Sequence, residues 1–301
     1  MISFKYFILE GGNIKVKDAE GKEVAAAPFA VKNRTEQAGD VHDALHALHD
    51  SFHASTGKHL FGKDAASLKT GSAYSGSTRQ FMNKDPQAGN ISDSEFTKHK
   101  PKVGDVDVQV PKEHKDDLHA HLTNNIGKRF GKYTLVGIKK SGAETHAVMR
   151  HDNGEHHQFD FEHVQYHGHE PAEHEQFLHS SSWEDAKNGI KGAHHKILLN
   201  AVASASDKKF SITHGLRSRT NADDPGVAAP KEVSKSLFGP KADHEKVNSF
   251  VGLADSIKKH IPAEQHQAIY DKFKGSMASN KNVDSTKAIA HLKSTLGTKD
   301  E

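Results

Sequence analysis

Two aspartates alternate with valines in the run Val103-Gly104-Asp105-Val106-Asp107-Val108-Gln109-Val110. With the period of two that a β-strand imposes, Val106, Val108 and Val110 point to one face and Asp105, Asp107 and Gln109 to the other. The valine face accounts for burial. The adjacent anions need a separate reason, because like charges side by side raise the cost of ionising both. A divalent cation removes that cost. Mg²⁺ takes oxygen ligands, often one or two carboxylates with water and substrate phosphates, so an Asp-x-Asp strand supplies half of a phosphoryl-transfer site. Exposed strands also carry alternate acids for no such purpose, and the pattern gains weight only from its surroundings.

Those surroundings add two features. Upstream, Gly71-Ser72-Ala73-Tyr74-Ser75-Gly76-Ser77-Thr78-Arg79 is small, hydroxyl-rich and glycine-rich. The backbone N–H groups of such a stretch can approach phosphate oxygens, and Arg79 can neutralise them. Downstream, His157-Gln158-Phe159-Asp160-Phe161-Glu162 is a second alternation, with Phe159 and Phe161 on one face and Asp160 and Glu162 on the other. A third carboxylate becomes available in Asp160, with Glu162 as its substitute should the register slip by two.

Together these residues resemble the DNA polymerase β-like nucleotidyltransferase superfamily. Within it, the chain is similar to nucleotidyltransferases of large tailed phages and giant viruses. The likeness is carried by Glu10-Gly11-Gly12-Asn13, Gly71-Ser72, Gly104-Asp105-Val106-Asp107 and Gln158-Phe159-Asp160, and it covers roughly the first two thirds of the chain. One departure stands out: Ser72 and Asp105 lie 33 positions apart (105 − 72), where the family brings Gly-Ser and the acids closer together. The segment of about 79–102, with Pro86, Gly89, Asn90 and Pro101, is expected to be a loop insertion. The resemblance implies that Asp105 and Asp107 bind two Mg²⁺ ions. Asp160 would bind the acceptor-side ion and help deprotonate the attacking hydroxyl. Gly71, Ser72, Arg79 and Lys191 would bind the nucleotide. It also implies transfer of a nucleoside monophosphate from an NTP to a hydroxyl, with release of pyrophosphate; the acceptor would be an RNA 3′ end such as tRNA, or a protein. The alternative is a catalytically silent protein of the same fold, a phage structural or host-interaction factor.

The elements that must position these residues read as an α+β chain. The fold expected is a nucleotidyltransferase-type mixed or antiparallel sheet flanked by helices, followed by a C-terminal helical domain. Residues 4–16 are expected to form an opening segment with a turn at Gly11-Gly12, followed by a polar, irregular stretch from Lys15 to Pro28. A helix is expected from Asp40, as its cap, to near Gly57, since Val41, Leu45, Leu48 and Phe52 recur on one face. Pro111 opens a helix over about 113–126 with the stripe Leu118, Leu122 and Ile126. Strands are expected over 133–138, 145–150 and 157–164, a mainly antiparallel meander that brings Asp160 beside Asp105 and Asp107. Ser181-Ser182-Trp183-Glu184 starts a long helix running to near Ala205, whose Lys187, Lys191 and Lys196 either face a phosphate or remain solvated. Phe210–Arg219 reads as a strand and turn whose Arg217 and Arg219 either serve phosphate or are simply exposed. Residues 1–220 then make a catalytic domain, 221–230 a linker, and 231–301 a helical domain with segments over 231–238, 244–259, 263–274 and 286–296. In that domain Lys231, Lys235, Lys258, Lys259 and Lys274 would hold an acceptor.

Composition narrows the rest. The 301 residues are 34% hydrophobic, so the core is small relative to the length. A net charge of +2 from 41 basic and 39 acidic side chains excludes the overall basicity of a non-specific nucleic-acid binder. With no cysteine, neither disulfides nor thiolate metal sites contribute. The start of the chain lacks the marks of a secretory signal and no window suits a membrane span, which predicts no membrane partner and a cytoplasmic protein, in host cytoplasm if phage-encoded. Twenty-five histidines are scattered without zinc-site spacing and read as solvated or satisfied polar groups. Transition-metal binding is the competing reading, and His163, His167 and His169 form a patch expected to charge below about pH 6.5.

Overall fold

The computed structural model describes residues 13–85, 88–142, 144–212, 214–221, 223–279 and 284–300. Met1–Leu9 and the Glu10-Gly11-Gly12 turn lie outside the described residues, as does Pro86. The chain is a mixed α+β protein that divides into two compact units between Ala172 and Glu173. The stretch 221–230 therefore lies inside the second unit, where Val227 exchanges backbone hydrogen bonds of 2.8 and 2.9 Å with Leu216.

The first unit is built on a five-stranded sheet. In chain order the elements before it are β1 (Lys15–Lys17), β2 (Glu23–Ala25), β3 (Phe29–Ala30), α1 (Arg34–Thr56), α2 (Ala66–Thr70), α3 (Thr78–Phe81), α4 (Asp93–His99) and β4 (Lys102–Val103). The sheet strands are β5 (Val106–Pro111), β6 (Arg129–Phe130), β7 (Tyr133–Ser141), β8 (Glu144–His151) and β9 (His156–Val164), with α5 (Lys115–Asn124) after β5. A short hairpin of β10 (Tyr166–His167) and β11 (Glu170–Pro171) closes the unit. The spatial order is β5-β9-β8-β7-β6. β6 to β9 form the expected antiparallel meander, and β9 then lies parallel to β5, placing Asp107 directly opposite Asp160. Alternation does the sorting. Val106, Val108, Val110, Phe159 and Phe161 are fully buried, which leaves the acids on the other face. Gly137 lets β1 cross the sheet, since a Cβ there would sit 2.4 Å from the carbonyl oxygen of Lys17.

Helix α1 buries Val41, Leu45, Leu48 and Phe52 as expected, and its C-terminal Gly57 adopts φ 70°. Its start is earlier than the sequence predicts. Asn33 is the cap, its side chain accepting the Glu36 N–H at 3.2 Å, while Asp40 sits inside the helix with Lys132 Nζ at 2.9 Å and His151 Nε2 at 3.2 Å. The segment expected as a loop insertion is also packed structure. It contains α3, α4 and β4, with Phe81 and Phe96 fully buried and Arg34 paired to Asp93 at 3.0 Å. Its apolar residues, Phe81, Ile91 and Phe96, are too widely spaced to show a period, yet tertiary contact alone suffices to bury them. Pro111 is both the last residue of β5 and the residue that opens a 3₁₀ turn, Lys112–His114, so α5 itself starts at Lys115 and ends at Asn124, before Ile126.

The second unit is mostly helical: α6 (Glu173–Leu178), α7 (Trp183–Lys187), α8 (Gly192–Ala205), α9 (Pro230–Phe238), α10 (Phe250–His260), α11 (His266–Ala278) and α12 (Thr286–Leu296), with the hairpin β12 (Lys208–Ser211) and β13 (Gly215–Ser218). Leu198, Val202, Val233, Leu253, Ile257, Phe273 and Leu292 meet in one apolar core. The long helix expected from Ser182 is two helices, because Gly189 adopts φ 69° and turns the chain. Buried Asp185 accepts the N–H groups of Phe250 at 2.7 Å and Val251 at 3.1 Å, capping α10 from outside.

Candidate metal centre

The face of the sheet opposite the valines carries Asp105, Asp107 and Asp160. One carboxylate oxygen from each lies within 4.8 Å of one from each of the others. Among the described residues this is the group of three His, Asp or Glu side chains so arranged, and no histidine belongs to it. Asp160 is buried, while Asp105 and Asp107 are half-buried. Parallel pairing in register makes Asp107 and Asp160 neighbours across two strands, and the strand period adds Asp105 on the same side.

The electrostatics are those of a site short of positive charge. Burial pushes the Asp105 carboxyl up to about 7, reinforced by the charge of Asp160 and opposed by Lys100. Asp107 is held well above the usual carboxylate range, first by burial and then by Asp105, Glu162 and Asp160. A divalent cation between these oxygens would relieve both effects, so the residues present fit Mg²⁺. Asp160 is held by neighbours: Gln158 Nε2 donates to its two oxygens at 2.9 and 2.8 Å, and His146 Nδ1 lies 2.7 Å from Oδ1. For His146, burial favours the neutral ring, but the hydrogen bond to Asp160 and the charges of Asp160 and Glu144 prevail and raise its pKa.

A glycine–serine pair borders the acids, and it is Gly76-Ser77. Gly76 has φ 50°, and a Cβ on it would stand 2.6 Å from Asp107 Oδ2. The flanking backbone runs along the free edge of β5: Gln109 N donates to Ala73 O at 2.7 Å and Ser75 N to Asp107 O at 3.2 Å. Thr78 Oγ1 accepts the Asp107 N–H at 2.8 Å. Gly71-Ser72 serves a different purpose. Gly71 ends α2 at φ 87° against the Lys84 side chain, and the Ser72 hydroxyl lies 3.0 Å from that of Thr70. Arg79 lies in the same segment, its Nε donating to Tyr74 O at 3.1 Å and its charge acting on Asp85 and Glu162.

The other expected residues are placed as follows. Glu162 is two positions beyond Asp160, opposite Glu144, and acts on the cluster by charge. Lys191 belongs to the second unit, exposed at the start of α8, with its backbone N–H donating to His194 Nδ1 at 2.9 Å. Lys196 is buried and donates to Phe177 O at 2.7 Å, which makes it a packing residue instead of a phosphate ligand. Arg217 and Arg219 donate to Asp224 O at 3.0 Å and Lys208 O at 2.7 Å. Of the His163, His167 and His169 patch, His163 lies on the valine face, 2.9 Å from Thr145 Oγ1, and burial lowers it to about 4. His146 and Gln158 were not singled out as site residues, though both fall on the acidic face by strand alternation.

Comparison with protein-family models, curated proteins and solved structures finds no match. Among the described residues, no helix is long and apolar enough to cross a membrane.

Proposed function

We propose that this chain is a Mg²⁺-dependent nucleotidyltransferase, of nucleotidyltransferase-type fold, that moves a nucleoside monophosphate from an NTP to a hydroxyl acceptor. The convergence of Asp105, Asp107 and Asp160 from two parallel strands carries the reading. Asp105 and Asp107 would hold both ions and Asp160 the acceptor-side ion. Bound there, the ions supply charge stabilisation for the triphosphate and the attacking oxygen. The acceptor oxygen forms a bond to the α-phosphorus as the bond to pyrophosphate breaks, and Asp160 takes the hydroxyl proton. The Gly76-Ser77 backbone beside Asp107 is the segment available to the nucleotide phosphates, in place of Gly71-Ser72. Lys100, whose charge acts on Asp105, joins Arg79 as a cation near the acids.

The acceptor proposed is an RNA 3′ end such as tRNA. The exposed Lys231, Lys235, Lys258 and Lys259 of the helical unit favour a polyanion. Lys274 is already engaged with Asp300 at 2.9 Å. The test is incubation with each labelled NTP, Mg²⁺ and total RNA or total protein, beside an Asp105→Ala/Asp107→Ala variant. Label transferred by the wild type and lost in the variant supports the reading. Transfer that persists in the variant removes the metal site, and absence of transfer to every acceptor, with no Mg²⁺-dependent NTP binding, favours a silent protein of the same fold.

A further inference from the structure

We propose that His146 and Gln158 are the positioning residues of the metal centre: they clamp the Asp160 carboxylate in one orientation, and divalent-cation affinity depends on both although neither contributes a ligand atom. This rests on the metal-site reading and extends it to residues that reading does not assign.

An aspartate carboxylate turns about a broad terminal torsion, so a strand position alone does not aim its oxygens. Asp160 is aimed by two donors. The Gln158 amide spans both oxygens at 2.9 and 2.8 Å, fixing the plane of the carboxylate, and His146 Nδ1 adds a third contact, on Oδ1, at 2.7 Å. The donors are themselves fixed. Ile14 N–H donates to Gln158 Oε1 at 3.2 Å, so the amide must turn its NH₂ end toward Asp160. The other nitrogen of His146 lies 3.5 Å from Glu144 Oε2, which sets the ring orientation from the far side. His146 and Asp160 are also paired in register on β8 and β9, so the clamp is built on rigid backbone. The amide of Gln158 orients Asp160 without cancelling its charge, as a site that must still attract a cation requires. Outer groups of this kind typically govern metal affinity by about 10- to 100-fold.

The test uses the full chain and Mn²⁺ as the probe, with free Mn²⁺ read by electron paramagnetic resonance. His146→Leu and Gln158→Leu are each expected to weaken binding by about 10- to 100-fold. His146→Asn, which keeps an N–H donor, is expected to bind close to wild type, and His146→Phe, which keeps ring volume without a donor, to bind like His146→Leu. Circular dichroism and thermal unfolding establish that each variant is folded. Folded Leu and Phe variants that bind Mn²⁺ as tightly as wild type overturn the proposal, as do variants that fail to fold, since the pair is then purely structural. Asp107→Asn separates the two levels: no Mn²⁺ bound by the wild type defeats the metal-site reading and this proposal with it. Binding lost in Asp107→Asn but unchanged in the Leu variants defeats the positioning role alone.

Discussion

Gly76→Ala tests whether the close approach of the Gly76 segment to Asp107 matters to the metal centre or only to folding. Two costs arise. At φ 50° an alanine occupies the left-handed region, worth about 1–2 kcal/mol of lost stability. The second cost is local: the new Cβ would stand 2.6 Å from Asp107 Oδ2, against an ordinary separation of about 3.5 Å. The carboxylate must therefore retreat by about 1 Å, beyond the ~0.5 Å within which a ligand set keeps its geometry. Gly71→Ala is the control, because it imposes the same kind of backbone penalty at φ 87° but presses on the Lys84 side chain. Both variants are expected to unfold at lower urea concentration. Only Gly76→Ala should also lose divalent-cation affinity, by about tenfold or more, as measured by calorimetric titration with Mn²⁺. Equal affinities in folded Gly76→Ala and Gly71→Ala would refute the claim that Gly76 defines the space around Asp107.

The raised carboxyls give a pH dependence of known sign. In the folded state Asp105 binds its proton up to about pH 7, whereas unfolded it releases it near its ordinary value of 3.8, so its contribution is complete at low pH and is lost as pH rises toward 7. His49, His157, His163 and His194 act oppositely: burial lowers each from 6.5 to about 4, so their contribution is complete above pH 6.5 and lost as pH falls toward 4. Between pH 6.5 and 8 the lowered histidines no longer contribute to the change, and the raised carboxyls act together with His146, whose raised pKa gives the same sign. In chelator, urea-unfolding stability should fall over that window, and the fall should shrink on adding Mg²⁺ and in Asp105→Asn/Asp107→Asn; a flat profile in the wild type would contradict the buried, repelling acids. The start of α1 gives a further comparison. Asn33→Ala should cost about 1 kcal/mol as a lost helix cap, and Asp40→Ala about 1.5–3 kcal/mol as lost contacts with Lys132 and His151, both read by urea unfolding. No measurable cost for Asn33→Ala would return the cap to Asp40.

Period-two alternation in 106–110 and 157–162 is a local property, so the sequence by itself determined that Asp105 and Asp107 share one face, Asp160 and Glu162 another, and that valine and phenylalanine bury the reverse sides. The stripe Val41, Leu45, Leu48 and Phe52 likewise marked α1, and Thr286–Leu296 was legible to the residue. Asn33 caps α1 and Gly189 turns the chain after α7, two positions that the hydrophobic stripes do not mark. Which strand lies next to β5, in which direction and in which register, has no local signature, because it depends on side chains tens of positions apart packing together. Tertiary structure alone decided that β9 runs parallel to β5 with Asp160 opposite Asp107, that Gly76 rather than Gly71 touches the acids, and that 79–102 folds into the first unit. His146 meets Asp160 across the β8–β9 hairpin, and only the nonlocal pairing of β9 with β5 brings that pair beside Asp107.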